Sequence, residues 1–293
     1  MLGEILTTLN IGEKVWKFIG SFRQTKLPQE ELLSSRFVRL FECHNVHRNQ
    51  IPRFFGSGLT VKDVSDDQSL LSKLEEPLLD AACTLFGVRR EWLDGAEPQV
   101  YSCHSFYKDP GGVLPFLTKL KEANPEGQLG GILIAPVGEE GEALVLLNEI
   151  IGWVGDKPIH RYHLCNDWTF DYWKARAYLT AFVAICWKHG VHLRGTYLPE
   201  KEIKRIADGE ALICSEDGDP GVGRTKLWYP EDMALKPDVF LAGVDPERDQ
   251  FGIKSALKLW LDLEQQGYMD TGLAMTSEEA IRATFEAKLA GYL

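Results

Sequence analysis

Asn49 and Gln50 stand side by side between two arginines, Arg48 and Arg53, in the stretch RNQIPRFFG. Side-chain amides of this kind make paired hydrogen bonds to an adenine edge in the major groove, and flanking guanidinium groups hold phosphates. Lys62, with Arg36 and Arg39, adds further cations within reach of a phosphate backbone. These residue types name one chemistry, the reading of double-stranded DNA.

Histidine and cysteine point to a second chemistry and do not complete it. Cys43, His44 and His47 form a CHxxH cluster that lacks the fourth ligand of a structural zinc site. His160 and His163 lie three apart on an expected strand, where they face opposite sides unless a bulge intervenes. His189 and His192 straddle Gly190, where a helix is expected to end. The string GDPGVGRT, Gly218 to Thr225, resembles a phosphate-cradling loop, and VFLAGVD ends in Asp245 like its partner strand. Arg224 stands where that loop needs lysine, and Pro230 interrupts the helix that should follow, so the string reads as a surface turn. No catalytic residue, metal or cofactor is assigned; an enzyme with a site on His160, His163 and Asp167 is kept as a further alternative.

The elements that would position these residues begin with PLLDAACTLFGVRREWLDG. Leu78, Leu79, Ala82, Leu85 and Phe86 recur at helical spacing, and Gly87 supplies the left-handed stop. Val88 opens a short second helix on which Arg90, Glu91 and Asp94 face water while Trp92 and Leu93 turn inward. Upstream, Ile5, Leu6, Leu9, Val15, Trp16, Phe18 and Ile19 give one or two amphipathic helices that either pack on the chain's own body or serve as a dimerisation arm. Pro28 opens the next helix, which runs past Ser35.

The string LLDAACTLFGVRREWLDG resembles the closing helix pair of lambda-repressor-like, Cro/C1-type helix-turn-helix domains. The resemblance extends over about residues 34–96, with SSRFVRLFECHNV as the first helix and RNQIPRFFG as the second, Gln50 lying near its start. It implies an all-helical bundle that contacts double-stranded DNA through Arg48, Asn49, Gln50, Arg53 and Lys62. In the place of the family's third helix, which enters the groove, stands LTVKDVSDDQSLLSKLEE, where Asp63, Asp66, Asp67, Glu75 and Glu76 outnumber Lys62 and Lys73. DNA would repel that segment. The alternative is an interaction or dimerisation protein that keeps the helical fold without DNA.

After Gly95 the composition turns rich in Pro and Gly, which places a linker at 98–112 between a helical module, 1–97, and a second domain, 113–293. Val113 to Glu122 reads as a short helix, and GGILIAPV, EALVLLNEIIGWVG and KPIHRYHLC as three strands of an antiparallel meander. Asn166 or Asp167 is expected to cap a long helix closed by Lys188, His189 and Gly190. ALKLWLDLEQQG and a last helix begun by the capping box of Thr276 and Glu279 follow. The expected class is α+β: the helical bundle, then an α+β domain with a small antiparallel sheet covered by a long helix. In outline that second domain resembles PAS-like or GAF-like sensor domains, which implies a ligand or partner, with Trp153, Tyr162, His163 and Trp173 as candidate pocket lining.

Across 293 residues, 44% hydrophobic and 26% charged side chains are globular proportions, so wholesale disorder is excluded. The net charge of -11 gives no long-range attraction to phosphate or anionic lipid. Six cysteines, Cys43, Cys83, Cys103, Cys165, Cys186 and Cys214, contain no CxxC pair and are expected to be buried and reduced. No segment approaches the roughly 20 uninterrupted apolar residues of a membrane span, and the first residues lack a basic leader. A cytoplasmic, homodimeric regulatory protein is the expectation, a DNA-binding module joined to a domain that senses a ligand or partner.

Overall fold

Twelve helices and a five-stranded sheet make up the residues described by the structure, a computed structural model covering 31–214, 227–246, 251–273 and 277–292. The expected helices over Ile5 to Phe22, the helix start at Pro28, the string Gly218 to Thr225 and Thr276 lie outside the described residues. Among the described residues, no helix is long and apolar enough to cross a membrane.

The described chain divides into a helical unit, drawn from 31–102, 150–162 and 208–214, and a sheet unit formed by the rest. The helical unit starts with α1, Leu33–Cys43, whose Phe37, Val38, Leu40 and Phe41 are buried at helical spacing. A single 3-10 turn, Arg48–Gln50, leads into α2, Ile51–Phe55, and after a turn comes α3, Asp67–Leu71. Then follow α4, Glu76–Phe86, and α5, Arg90–Asp94, which pack on one another. The core is aromatic: Phe41 sits edge-on to Phe86 with ring centroids 4.9 Å apart and to Phe55 at 5.3 Å.

The stop read at Gly87 holds, and Gly95 supplies a second. Gly87 closes α4 with φ 68, and Gly95 closes α5 with φ 84. At Gly95 a side chain would also collide with the buried Arg36 guanidinium, which donates to the Trp92 carbonyl at 3.1 Å. Trp92 and Leu93 are fully buried, as their place on α5 requires.

The stretch 98–112, expected as a linker, is built into both units. In the helical unit Val100 and Tyr101 are buried, Tyr101 bridges Val88, and both donate backbone hydrogen bonds to the Gly209 carbonyl. In the sheet unit Cys103–Ser105 forms β1. Residues 211–214, ALIC, carry no strand; the Ile213 amide donates to the Tyr101 hydroxyl at 3.2 Å, and Cys214 is disulfide-bonded to Cys43. The expectation of six reduced thiols is therefore corrected for this pair.

After β1 come α6, Val113–Ala123, β2, Leu129–Pro136, β3, Glu142–Val154, and β4, Lys157–Thr169; residues 150–162, the end of β3 and the start of β4, belong to the helical unit and the others to the sheet unit. α7, Trp173–Lys188, leads to β5, Leu193–Leu198. The sheet order is β1-β4-β3-β2-β5, with β2 antiparallel to β3 but parallel to β5, and β1 parallel to β4. The α+β class stands, while the purely antiparallel sheet is corrected to a mixed one. A helical crossover through α7 returns β5 alongside β2 in the same direction.

The helix cap at Asn166 or Asp167 is corrected as well. β4 continues to Thr169 because Trp168 is wholly buried and its indole donates to the Cys165 carbonyl at 3.0 Å, so α7 begins at Trp173. Asp167 takes the left-handed conformation, φ 67. α7 is buried on nearly all sides. Leu179, Phe182, Val183 and Cys186 meet the strands, while Ala177 and Ala181 meet α11, Ile253–Gln265, and α12, Glu278–Ala290. Between α7 and these lie α8, Glu200–Ala207, α9, Asp232–Leu235, and α10, Pro237–Leu241. The VFLAGVD stretch is thus helix and turn, without the strand expected before Asp245. Ser277 caps α12, its Oγ accepting the Ala280 amide at 3.2 Å.

Candidate functional site

The five residues expected on DNA divide by what holds them. Arg48 is committed within the fold: its Nε donates to the Val64 carbonyl at 2.6 Å and its Nη2 lies 2.7 Å from the Asp67 carboxylate. The expected reading helix, α3, is five residues long. Asp66 caps it by accepting the Ser69 amide at 2.8 Å, and hydrogen bonds from Ser69 hold the Asp66 carboxyl below its usual range. Asp63 is held down in the same way by the Thr60 hydroxyl and amide. Two carboxylates therefore stand ionised around the segment that would have to face phosphate. Lys62 is exposed in the preceding turn, and Asn49 is exposed with its amide donating to the His47 ring.

Gln50 and Arg53 lead to a different place. They line a cleft of about 540 Å³ in the helical unit, walled by Phe54 and Leu85 and by Ile151 to Gly155 at the end of β3 and the turn after it. Trp153, expected in a ligand pocket of the second domain, is in this cleft, with 57% of its surface exposed. Gly152 is required beside it, because a Cβ there would come 2.8 Å from the Phe54 ring. The Gln50 carbonyl oxygen accepts the His47 amide at 3.0 Å, which leaves the NH2 half of the side chain as a donor. No aspartate or glutamate lines the cleft.

None of the other three pocket candidates lines this cleft. Tyr162 is buried in the helical unit, 5.7 Å from the His44 ring and 6.2 Å from His160. His163, in the sheet unit, pairs through Nε2 with Glu149 at 3.0 Å, the Glu149 carboxylate being 2% exposed. Trp173 stacks near Phe251 at 6.2 Å. Sequence reasoning missed Glu149; the sole signal was an acidic letter inside the apolar run LVLLNEIIGW.

The histidine clusters come apart too. Cys43 is bonded to Cys214, His44 is buried with its Nδ1 on the Leu40 carbonyl at 2.7 Å, and His47 is exposed as a cap. Burial pushes His44 down to about 4, with His160 adding to the effect. His160 belongs to the helical unit, His163 and Asp167 belong to the sheet unit, and Asp167 is exposed. Among the described residues no group of three or more His, Cys, Asp or Glu is placed to hold a metal ion. Compared with protein-family models, curated proteins and solved structures, the chain matches none of them.

Proposed function

We propose that this chain is a binding protein whose helical unit serves as a docking module, presenting the cleft of Gln50, Arg53 and Trp153, and does not read duplex DNA. The carrying observation is the Arg48 to Asp67 pair, which spends a phosphate-binding cation on the acidic helix that would have to enter the groove. The lambda-repressor-like character of the bundle, with DNA as partner, is the reading this displaces. Titration of the protein against random duplex at about 50 and about 200 mM salt tests it. No binding at the lower salt is expected; tight binding that weakens steeply at the higher salt would restore the DNA reader.

A cytoplasmic location is kept in this proposal. Four free thiols, three of them buried, suit it, whereas the Cys43–Cys214 bridge argues for oxidising surroundings. Trapping thiols at the moment of cell lysis decides between them: a reduced Cys43 supports the cytoplasm. Homodimerisation is proposed as well, and light scattering at two protein concentrations checks it.

A further inference from the structure

We propose that the cleft bearing Gln50, Arg53, Phe54 and Trp153 binds a small organic anion that carries a flat unsaturated ring, either an aryl carboxylate or a nucleoside monophosphate. The inference rests on the docking reading of the helical unit and names the ligand class for it.

Arg53 sets the charge. Among the described residues of the helical unit, Arg36, Arg39, Arg48, Arg89, Arg90 and Arg161 each have a carboxylate or carbonyl partner. The Arg53 side chain has no hydrogen bond or ion pair among the described residues, and it is exposed on the cleft. In a chain with 43 acidic residues, a cleft whose lining holds one cation and no carboxylate is electrostatically set apart. A guanidinium free of internal partners offers a fork that fits a carboxylate or phosphate.

Trp153 supplies the flat surface. Trp92, Trp168 and Trp260 are buried to within 1%, whereas Trp153 is 57% exposed, so burial does not explain its place on the strand. An aromatic ring of the ligand stacks on such a face, and Phe54, Leu85 and Ile151 give the cleft an apolar floor. Gln50 adds a neutral donor whose direction is fixed by its bond to the His47 amide. Every polar side chain of the lining thus donates, and the matching ligand accepts. A space of about 540 Å³ lies within the range of small-molecule sites.

Calorimetric titration of the whole chain with 4-hydroxybenzoate and with adenosine monophosphate tests the proposal. Phenol and adenosine serve as the uncharged counterparts, and inorganic phosphate as the bare anion. One of the two ring-bearing anions is expected to bind at about 1 mM or tighter, at least about tenfold better than its uncharged counterpart and than inorganic phosphate. Arg53→Gln and Trp153→Ala, neither removing a side-chain hydrogen bond or ion pair, should each weaken that binding about tenfold while the protein stays folded by its thermal transition. Whichever anion binds identifies the source. Failure of both anions overturns the proposal, as does equal binding of the uncharged forms, equal binding of phosphate, or indifference to both substitutions. If the anions fail and duplex DNA also fails, the ligand class falls and the docking reading stands; if duplex DNA binds, the docking reading itself falls.

Discussion

The Arg48 guanidinium lies 2.7 Å from the Asp67 carboxylate and donates to the Val64 carbonyl at 2.6 Å, tying the turn before α2 to the start of α3. A cation that the sequence offers to phosphate is in this way turned into a brace inside the bundle. Its loss should therefore be felt in stability. Arg48→Met is expected to lower the unfolding free energy by about 1–2 kcal/mol, since the ion pair is half-exposed and the carbonyl loses a charged donor. Urea denaturation measures it; an unchanged midpoint would mean the brace is idle.

His44 should make the fold acid-sensitive. Burial holds it at about 4, its Nδ1 hydrogen bonded to Leu40, with His160 and Tyr162 the titratable groups facing it and the Phe86 ring tilted against it at 4.3 Å. The unfolded chain takes up this proton near pH 6.5 and the folded chain near 4, so between those values the unfolded state binds more protons. Stability is then lost as pH falls through that window, by about 3 kcal/mol over its whole width, and is fully present above it. His44→Phe should flatten this part of the profile relative to the parent protein, read from denaturation midpoints at pH 7 and pH 4.5. Parallel profiles would show that His44 is not the group responsible.

The disulfide between Cys43 and Cys214 joins residues separated by 171 positions. Denatured without reductant, the protein should release four free thiols, and six after reduction. Reduction, or Cys43→Ser, should lower stability by about 2–5 kcal/mol. Six thiols before reduction would remove the bridge.

Gly95→Ala should cost about 1–3 kcal/mol, because φ 84 disfavours any side chain and the new methyl would displace the Arg36 guanidinium from the Trp92 carbonyl. Thermal melting checks this, and Gly138→Ala is the control: its φ is 93 and nothing lies within 4 Å, so only the backbone term should appear.

What was legible in the sequence was short in range. Phe86 followed by Gly87, and Trp92 with Leu93 before Gly95, specify helix, stop and inward face within a few residues, and α4 and α5 follow them. The parallel edges of the sheet were not legible, since β1 pairs with residues 164–166 and β5 with 131–136, partners chosen by tertiary packing and not by local pattern. Asn166 and Asp167 carried a good helix-capping signal, which burial of Trp168 overrode by extending the strand. For the site, Gln50, Arg53 and Trp153 were each singled out by residue type, but their meeting in one cleft depends on the far end of β3 belonging to the helical unit. Neither periodicity nor spacing encodes that pairing.

The most direct measurement is the amide and indole N–H spectrum of isotope-labelled protein with and without equimolar random duplex at about 50 mM salt, where electrostatic contact is strongest. The docking account predicts that the resonances of residues 48–71 and the Trp153 indole stay in place. Movement of the α3 amides, Asp67 to Leu71, on adding the duplex would contradict it.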